Sequence, residues 1–367
     1  MGCLCRIRLA VNSLERGGFS SNLFYERHTP MPRTFHLRSL SIAILLCVQL
    51  LGYEVKVRVV DEAGAPVAGA AASVYFLHPR NDDHKGGVTD AGGLFSAKGS
   101  GTLGVGVMAQ KSGHYSARVE NLSRKTDHDL KVVLPRILNP VPLYAWRTSG
   151  WMPPPAFPVH GSWCGFDFEA ADWVAPHGKG KTADILFRFK NEFKGWGEVV
   201  YGSGSPEEYF EELRTLYVSR RQDFSFENFK TRAGKWDGVL EISFPGEGGG
   251  IFEEKGFLAY SKLKMPHVAP ADGYVSGWLY TSNNYSPRTY RDDVGFFLRT
   301  RVKLDKDGKV VSANYAKVVG DFQLDAAMGD VAFAYYFNPT PNDRNLEFDP
   351  KKNLFPKDTK GTEVYDP

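Results

Sequence analysis

Two acidic side chains have a spacing that paired-carboxylate chemistry could use. Asp237 and Glu241 lie four residues apart in the stretch W-D-G-V-L-E. Alternate residues of a β-strand point to one face, so the two carboxylates share a face if the strand already includes Asp237. Glycoside hydrolysis needs two carboxyl groups ~5 Å or ~6.5–9.5 Å apart. The pair makes a hydrolase conceivable, although W-D-G is also typical of a turn, and adjacent Glu253 and Glu254 are a second candidate pair.

Aromatic residues beside a polar stretch form the other candidate site. The rings are Trp278, Tyr280, Tyr285 and Tyr290, around the polar residues 281–291. Exposed aromatic faces with Asn, Arg and Asp nearby suit the stacking of sugars. The alternative, which the alternation favours, is that Trp278 and Tyr280 point into the core of a strand pair. The sequence therefore predicts either a ligand-binding surface or part of a hydrophobic core here.

Metal-dependent and nucleotide-dependent enzymes are not indicated. None of the nine histidines has Glu three residues later and HExxH is absent, so we reject a zinc peptidase. The stretch A-P-H-G-K-G-K-T at 175–182 fits a relaxed phosphate-loop pattern, but residues 184–189 predict a strand where such a loop needs a helix. No serine-hydrolase motif stands in a fitting context. We therefore predict that the chain binds no metal and no cofactor, and the sequence favours a non-catalytic protein over an enzyme.

The elements that position these residues are predicted to be β-strands. The stretch Y-E-V-K-V-R-V-V at 53–60 alternates apolar and polar residues, and 103–111 does the same. Further short strands are predicted at 73–77 and 130–134, separated by Gly- and Pro-containing turns. Short strands at this regular spacing predict an all-β sandwich over 53–136.

Three turn motifs in that segment resemble a known family. They are V-D-E-A-G-A-P-V-A-G-A at 60–70, T-D-A-G-G-L-F at 89–95 and K-S-G-H-Y at 111–115, the last with a His inserted before the Tyr. Together they resemble the carboxypeptidase regulatory-like domain. The resemblance implies a transthyretin-like or Ig-like β-sandwich without catalytic activity, and it covers under a quarter of the chain.

The remainder predicts a second and larger β-rich domain. Residues 137–159 are rich in Pro and predict an extended linker, residues 160–348 the domain, and residues 349–367 a tail. Alternating stretches such as I-L-F-R-F at 185–189 predict its strands, and the run 296–319 predicts a hairpin with D-K-D-G-K at its turn. One short helix is predicted from Ser205, with Pro206 in its first turn.

The N-terminal residues predict a targeting segment. Arg33 and Arg38 precede a mostly apolar run of 12 residues at 40–51, which is shorter than the ~20 residues of a membrane span and is typical of a signal peptide. We expect translation to start at Met31, so residues 1–52 form a leader. Without that leader the formal net charge falls from +3 to −1 and Cys164 is the single cysteine. The remaining residues have no excess of positive charge, which argues against a nucleic-acid-binding protein.

The sequence thus predicts an all-β chain, with a small Ig-like or transthyretin-like sandwich followed by a larger β-sandwich-like domain with one short helix. We expect a secreted, periplasmic or cell-envelope protein of bacterial type, which meets a membrane only through an uncleaved or lipidated leader. The predicted function is non-catalytic binding or a structural role, with polysaccharide or a cell-surface protein as partner and no nucleic acid. The alternative is a glycoside hydrolase-like enzyme that uses the carboxylate pair Asp237 and Glu241.

Overall fold

The structure is a computed structural model, and it describes residues 52–122, 127–148, 155–197, 207, 208, 210, 211, 226–255, 261–286, 291, 293–362 and 364. Gly52–Pro367 form one compact unit. Its strands build two successive β-sandwiches, so the predicted all-β class is confirmed.

In the described part of residues 52–133, seven strands build the first sandwich. They are β1 (Tyr53–Val60), β2 (Ala71–Leu77), β3 (Asp83–Val88), β4 (Leu94–Gly99), β5 (Gly104–Gln110), β6 (Ala117–Leu122) and β7 (His128–Val133). One sheet has the order β4-β1-β7 and the other β3-β2-β5-β6. The alternation of β1 sends Val55, Val57 and Val59 inward, where each is fully buried against residues of the second sheet such as Phe76 and Val107.

The T-D-A-G-G-L-F turn is held by hydrogen bonds that explain its residue types. The buried Thr89 hydroxyl donates to the Val67 carbonyl at 2.7 Å and accepts from the Ala70 amide at 2.9 Å. Asp90 Oδ1 accepts from two amides of the turn. Gly93 has φ +73°, and a Cβ there would lie 2.4 Å from the Val59 carbonyl oxygen. A side chain at position 93 would therefore clash with β1, which is why the turn needs glycine.

Twelve strands of the described residues build the second sandwich. They are β8 (Tyr144–Arg147), β9 (Cys164–Asp167), β10 (Asp172–Trp173), β11 (Ile185–Trp196), β12 (Gly234–Ser243), β13 (Gly250–Lys255), β14 (Gly277–Asn283), β15 (Val294–Leu304), β16 (Val310–Val319), β17 (Gln323–Asp325), β18 (Asp330–Ala332) and β19 (Ala334–Asn338). Two five-stranded sheets result, with the orders β10-β9-β11-β12-β14 and β13-β15-β16-β19-β8, and β17 and β18 pair separately. We call the first of these sheets the outer sheet and the second the inner sheet.

The inner sheet is covered on both faces, whereas the outer sheet is covered on one. An aromatic-rich core with Phe166, Phe187, Phe296 and Tyr335 fills the space between the two sheets. A second layer, with Phe297, Tyr315 and Tyr336, packs on the other side of the inner sheet under the loop residues Met265, Leu346 and Phe348. The far side of the outer sheet carries exposed side chains, and that open face is where a ligand could lie.

Segments expected to lie outside the strands take part in the second sandwich. β8 falls within the Pro-rich stretch 137–159 and pairs with β19 at the edge of the inner sheet. The C-terminal residues 353–361 line the other side of β8, for example through hydrogen bonds between Asn353 and both backbone groups of Ala145. The boundaries of linker, domain and tail stay a prediction.

One α-helix, α1 (Phe226–Ala233), has its bounds within the described residues and leads directly into β12. Glu207, Glu208, Phe210 and Glu211 are also helical, whereas Ser205 and Pro206 of the predicted helix lie outside the described residues. No helix among the described residues is long and apolar enough to cross a membrane.

The Gly-rich loop 175–182 binds a carboxylate of the protein itself. Asp167 Oδ2 accepts hydrogen bonds from the amides of Lys181 at 2.8 Å and Thr182 at 3.0 Å. These amide bonds lower the pKa of Asp167 against the opposing effect of its burial. Ile185 then begins β11, as the sequence predicted. The amides that would cradle a phosphate are therefore occupied.

A buried lysine and a buried glutamate lie where the two sandwiches meet. Glu347 is 1% exposed and accepts from the Tyr115 hydroxyl at 2.7 Å and from the amides of Leu138 and Asn139. Lys317, on β16, is 0% exposed, and its Nζ lies 4.8 Å from the centre of the Tyr336 ring. Burial lowers the pKa of Lys317 to about 7, which the negative charge of Glu347 partly opposes.

Candidate binding face

The open face of the outer sheet is set by the alternation of its central strands. On β11 the residues Ile185, Phe187 and Phe189 are buried in the core, so the residues between them point outward. The pairing with β12 and β14 continues the pattern across the sheet. We call the resulting surface the outer face; its side chains from β11, β12 and β14 are Arg188, Lys190, Glu192, Asp237, Val239, Glu241, Leu279, Thr281 and Asn283.

A row of four side chains crosses the outer face. Trp163 precedes β9 and is 42% exposed, and the Arg188 guanidinium carbon lies 4.7 Å from the centre of its ring. Arg188 in turn donates two hydrogen bonds to the Glu241 carboxylate, one of them from Nε at 3.0 Å. Glu241 is paired in register with Leu279, which is 64% exposed. The row thus combines an indole ring, a fixed ion pair and an exposed apolar side chain.

The ion pair in this row is set firmly enough to orient the tryptophan. The hydrogen bonds from Arg188 lower the pKa of Glu241 despite some desolvation, so the carboxylate stays ionised. Two parallel hydrogen bonds to one carboxylate hold the Arg188 guanidinium in the plane of the Glu241 carboxylate, and this bidentate geometry is rigid. One side of the Trp163 ring rests on this guanidinium through a cation–π contact.

A second group of side chains lies at the other end of the face. Tyr285 is 45% exposed and donates a hydrogen bond of 2.5 Å from its hydroxyl to Asp237 Oδ1. That bond raises the pKa of Tyr285. Lys194 Nζ lies 3.8 Å from Asp237 and 3.0 Å from Glu192. The tyrosine ring is therefore held against the sheet by its own hydroxyl.

The structure does not bring the predicted carboxylate pair together. Asp237 and Glu241 both point to the outer face of β12, but extended chain separates their backbones by about 13 Å at ~3.3 Å per residue. Glu241 is bonded to Arg188, and Asp237 to Tyr285. In this arrangement each carboxylate has its own partner at opposite ends of the face.

The four predicted aromatic residues separate into different environments. Trp278 and Tyr280 face the core and are half-buried there, with the Trp278 ring centre 5.4 Å from that of Phe296. Tyr285 is on the exposed side, and Tyr290 lies outside the described residues. The three described rings therefore do not come together in one site.

Sequence reasoning missed Trp163, Arg188 and Leu279. The signal was present in the alternation: Cys164 and Phe166 are buried, so position 163 must point the other way, and Arg188 lies between two buried phenylalanines. What the sequence could not indicate was that Trp163 and Arg188 come from adjacent strands, since β9 and β11 pair through Leu186 and Gly165.

No group of three or more His, Cys, Asp or Glu side chains that could hold a metal ion occurs among the described residues. The outer face itself offers stacking and hydrogen bonding. An elongated ligand with apolar faces and many hydroxyl groups would match both.

Comparison with known proteins gives distant similarity in fold. No protein-family model and no curated sequence matches the chain. A streptococcal ancillary pilin matches 37% of the chain at 11% identity and a TM-score of 0.19, and the chain spans 52% of that pilin chain. Two Bacteroides proteins each match 79% of the chain at 9% identity and a TM-score of 0.18, and 98% of their own length is covered.

One of these is a candidate membrane-associated protein of unknown function from Bacteroides fragilis, and the other a candidate carbohydrate-binding protein from Bacteroides uniformis. At these scores the similarity carries no information on ligand or partner. The strands of the chain itself show that it is a multi-sheet, β-rich protein.

Proposed function

We propose that the chain is a non-catalytic binding protein of the bacterial cell envelope that holds a polysaccharide on the outer face of its second sandwich. The observation that carries the proposal is the exposed Trp163 ring fixed on Arg188 in line with Leu279. Aromatic rings kept flat and rigid at a surface suit sugar rings, because little conformational entropy is lost on stacking. In this proposal the first sandwich is a carboxypeptidase regulatory-like module, which supports the binding domain and performs no chemistry.

The side chains around Trp163 support an extended ligand. The face spans the strands β11, β12 and β14, which lie about 4.8 Å apart, and it offers amide, hydroxyl and charged groups at Asn283, Thr281 and Lys190. The face carries charges of both signs, and the Arg188–Glu241 pair is neutral overall. A neutral, hydroxyl-rich chain laid across the strands fits this face better than a highly charged polymer does.

Replacing Trp163 with alanine should weaken polysaccharide binding about tenfold, which corresponds to ~1.4 kcal/mol. The measurement is retention of the purified chain on a panel of insoluble polysaccharides, together with affinity electrophoresis in soluble ones. Leu103→Ala is the control, because Leu103 is a large apolar side chain that is 64% exposed but lies on the first sandwich. The control should bind as the unchanged protein does.

The same incubation tests the non-catalytic part of the proposal through the release of reducing ends. Retention without release supports it. Release that is abolished by Asp237→Asn would replace the proposal with hydrolysis, and retention unaffected by Trp163→Ala would move the binding surface elsewhere.

A further inference from the structure

A second concave surface lies at the loop end of the first sandwich. A pocket of about 750 Å³ is formed there, lined by loop and strand-end residues of the first sandwich together with Lys262 and Pro350 of the second. Its volume falls within the ~300–1,000 Å³ of typical small-molecule sites. Two backbone contacts hold the segment that contains Lys262 against the first sandwich. The Lys262 amide donates a hydrogen bond to the Ser116 carbonyl at 2.9 Å, and Ser261 forms a β-bridge with Ala117.

The polar groups of this pocket are mostly uncommitted. Within the described part of the chain, no protein partner is found for the Lys262 ammonium, for the Gln110 amide group, or for the hydroxyls of Ser112 and Ser116. Lys111 uses one of its three N–H groups on the Ala68 carbonyl at 2.6 Å, which leaves two for a ligand. None of the residues that line the pocket is acidic.

The orientation of His114 adds an acceptor to these donors. Its Nδ1 lies 3.1 Å from the Ser112 carbonyl oxygen, and a carbonyl can only accept, so Nδ1 carries the hydrogen. In the neutral ring Nε2 is then an acceptor, which can take a hydrogen bond from an O–H group of a ligand. An inorganic anion such as sulfate has no such donor, whereas a sugar has several.

One buried carboxylate, that of Glu347, lies behind the pocket wall. The Tyr115 ring lines the pocket, and its hydroxyl donates to Glu347 on the far side. The Glu347 carboxylate also accepts two backbone amides, and Lys317 lies nearby. Three hydrogen-bond donors share this negative charge, so it opposes an anion in the pocket less than a bare carboxylate would.

We infer that this pocket binds a carboxylate-bearing monosaccharide unit, that is, a hexuronate. The ammonium groups of Lys111 and Lys262 take the carboxylate, while His114, the two serines and Gln110 bond to ring hydroxyls. Ile137 and Pro350 supply apolar contact for the sugar ring. The site is separate from the outer face, so it stands whether or not Trp163 binds polysaccharide.

The test is to titrate the full chain with free glucuronate or galacturonate and to measure binding by calorimetry and by ligand-observed NMR. We expect saturable binding of at least one hexuronate, no binding of glucose, and weaker binding as salt is raised. Lys262→Gln should lower the affinity about tenfold, whereas Lys309→Gln, an exposed lysine in the β15–β16 turn, should leave it unchanged.

Trp163→Ala distinguishes this site from the outer face, because the variant should keep its hexuronate affinity. Loss of hexuronate binding in that variant would place the sugar on the outer face and overturn the inference. Equal binding of acetate, sulfate and hexuronate would also overturn it, since the hydroxyl-directed groups would then contribute nothing. Absence of saturable binding by both hexuronates would refute it directly.

Discussion

Replacing Lys317 with methionine is expected to raise the free energy of unfolding by roughly 2–4 kcal/mol at neutral pH. Lys317 pairs in register with Phe297 and Tyr336 on the neighbouring strands and is 0% exposed. Its Nζ has no hydrogen-bond partner among the described residues. Methionine keeps the unbranched stem and removes the amine, so the desolvation cost disappears without leaving a large cavity.

The same lysine predicts how stability depends on pH. In the unfolded chain the amine keeps its proton up to about pH 10.4, whereas the folded-state pKa is lowered to about 7. Between these values the unfolded state binds more protons, so the free energy of unfolding rises with pH, by up to ~1.4 kcal/mol per unit. Buried tyrosines such as Tyr115 and Tyr335, whose pKa values are raised, oppose this rise only near pH 10 and above.

Urea unfolding of both proteins from neutral pH to about pH 9 is the measurement. The unchanged protein should gain stability over this interval and the methionine variant should not. Lys303→Met is the control, because Lys303 is exposed on β15, and it should change stability by less than about 0.5 kcal/mol. Parallel pH profiles for all three proteins would show that Lys317 is charged in the folded state or reaches water.

Arg301→Ala is expected to lower the free energy of unfolding by about 3–5 kcal/mol. Arg301 donates from Nε and Nη2 to the two oxygens of Asp184, at 2.7 and 3.0 Å. Asp184 is 0% exposed, and burial already raises its pKa against the effect of this arginine. Without the guanidinium, the carboxylate keeps the Phe168 amide as a donor and loses its compensating charge.

Thermal and urea unfolding measure this loss, and a second substitution shows its origin. If the cost is an uncompensated charge, Asp184→Asn in the Arg301→Ala background should recover part of the stability. A double variant no more stable than Arg301→Ala would instead assign the loss to packing of the guanidinium on the Phe337 ring, 4.7 Å away. Arg147→Ala, at an exposed position of β8, is the matched control and should be nearly neutral.

The strands with clear alternation were predictable from local sequence, because every second residue is apolar and these residues are the ones that face the core. The β15–β16 hairpin is confirmed, as are strands at 53–60 and 185–189. The turn favoured at W-D-G was wrong, since these residues lie within β12. Neighbouring strands pair on both sides of Gly238, and a Cβ there would lie 2.8 Å from Ala326 Cβ, so tertiary packing overrides the local turn preference.

The candidate site was harder to predict because it depends on which strands become neighbours. Trp163 and Arg188 meet only through the β9–β11 pairing, and their own segments contain no motif for it. Lys317 lies between Ala316 and Val318, which point into the core between the two sheets, so its strand pattern alone would place a charged residue toward solvent. The layer of loops that covers this side of the inner sheet has no periodicity that a sequence could reveal.

The position of β8 has a consequence for the order in which the chain can fold. All described strand pairings within the two sheets of the first sandwich lie before residue 134, so these sheets can form as soon as that much chain has emerged, and the isolated bridge from Ala117 to Ser261 is added later. β8 must wait for much later residues: the Trp146 indole donates to the Lys360 carbonyl, 214 positions along the chain. Contacts of such long range form slowly, because a large loop must close first. A chain that emerges from its N-terminal side therefore carries the two sheets of the first sandwich while the second sandwich stays open until Lys360 has emerged.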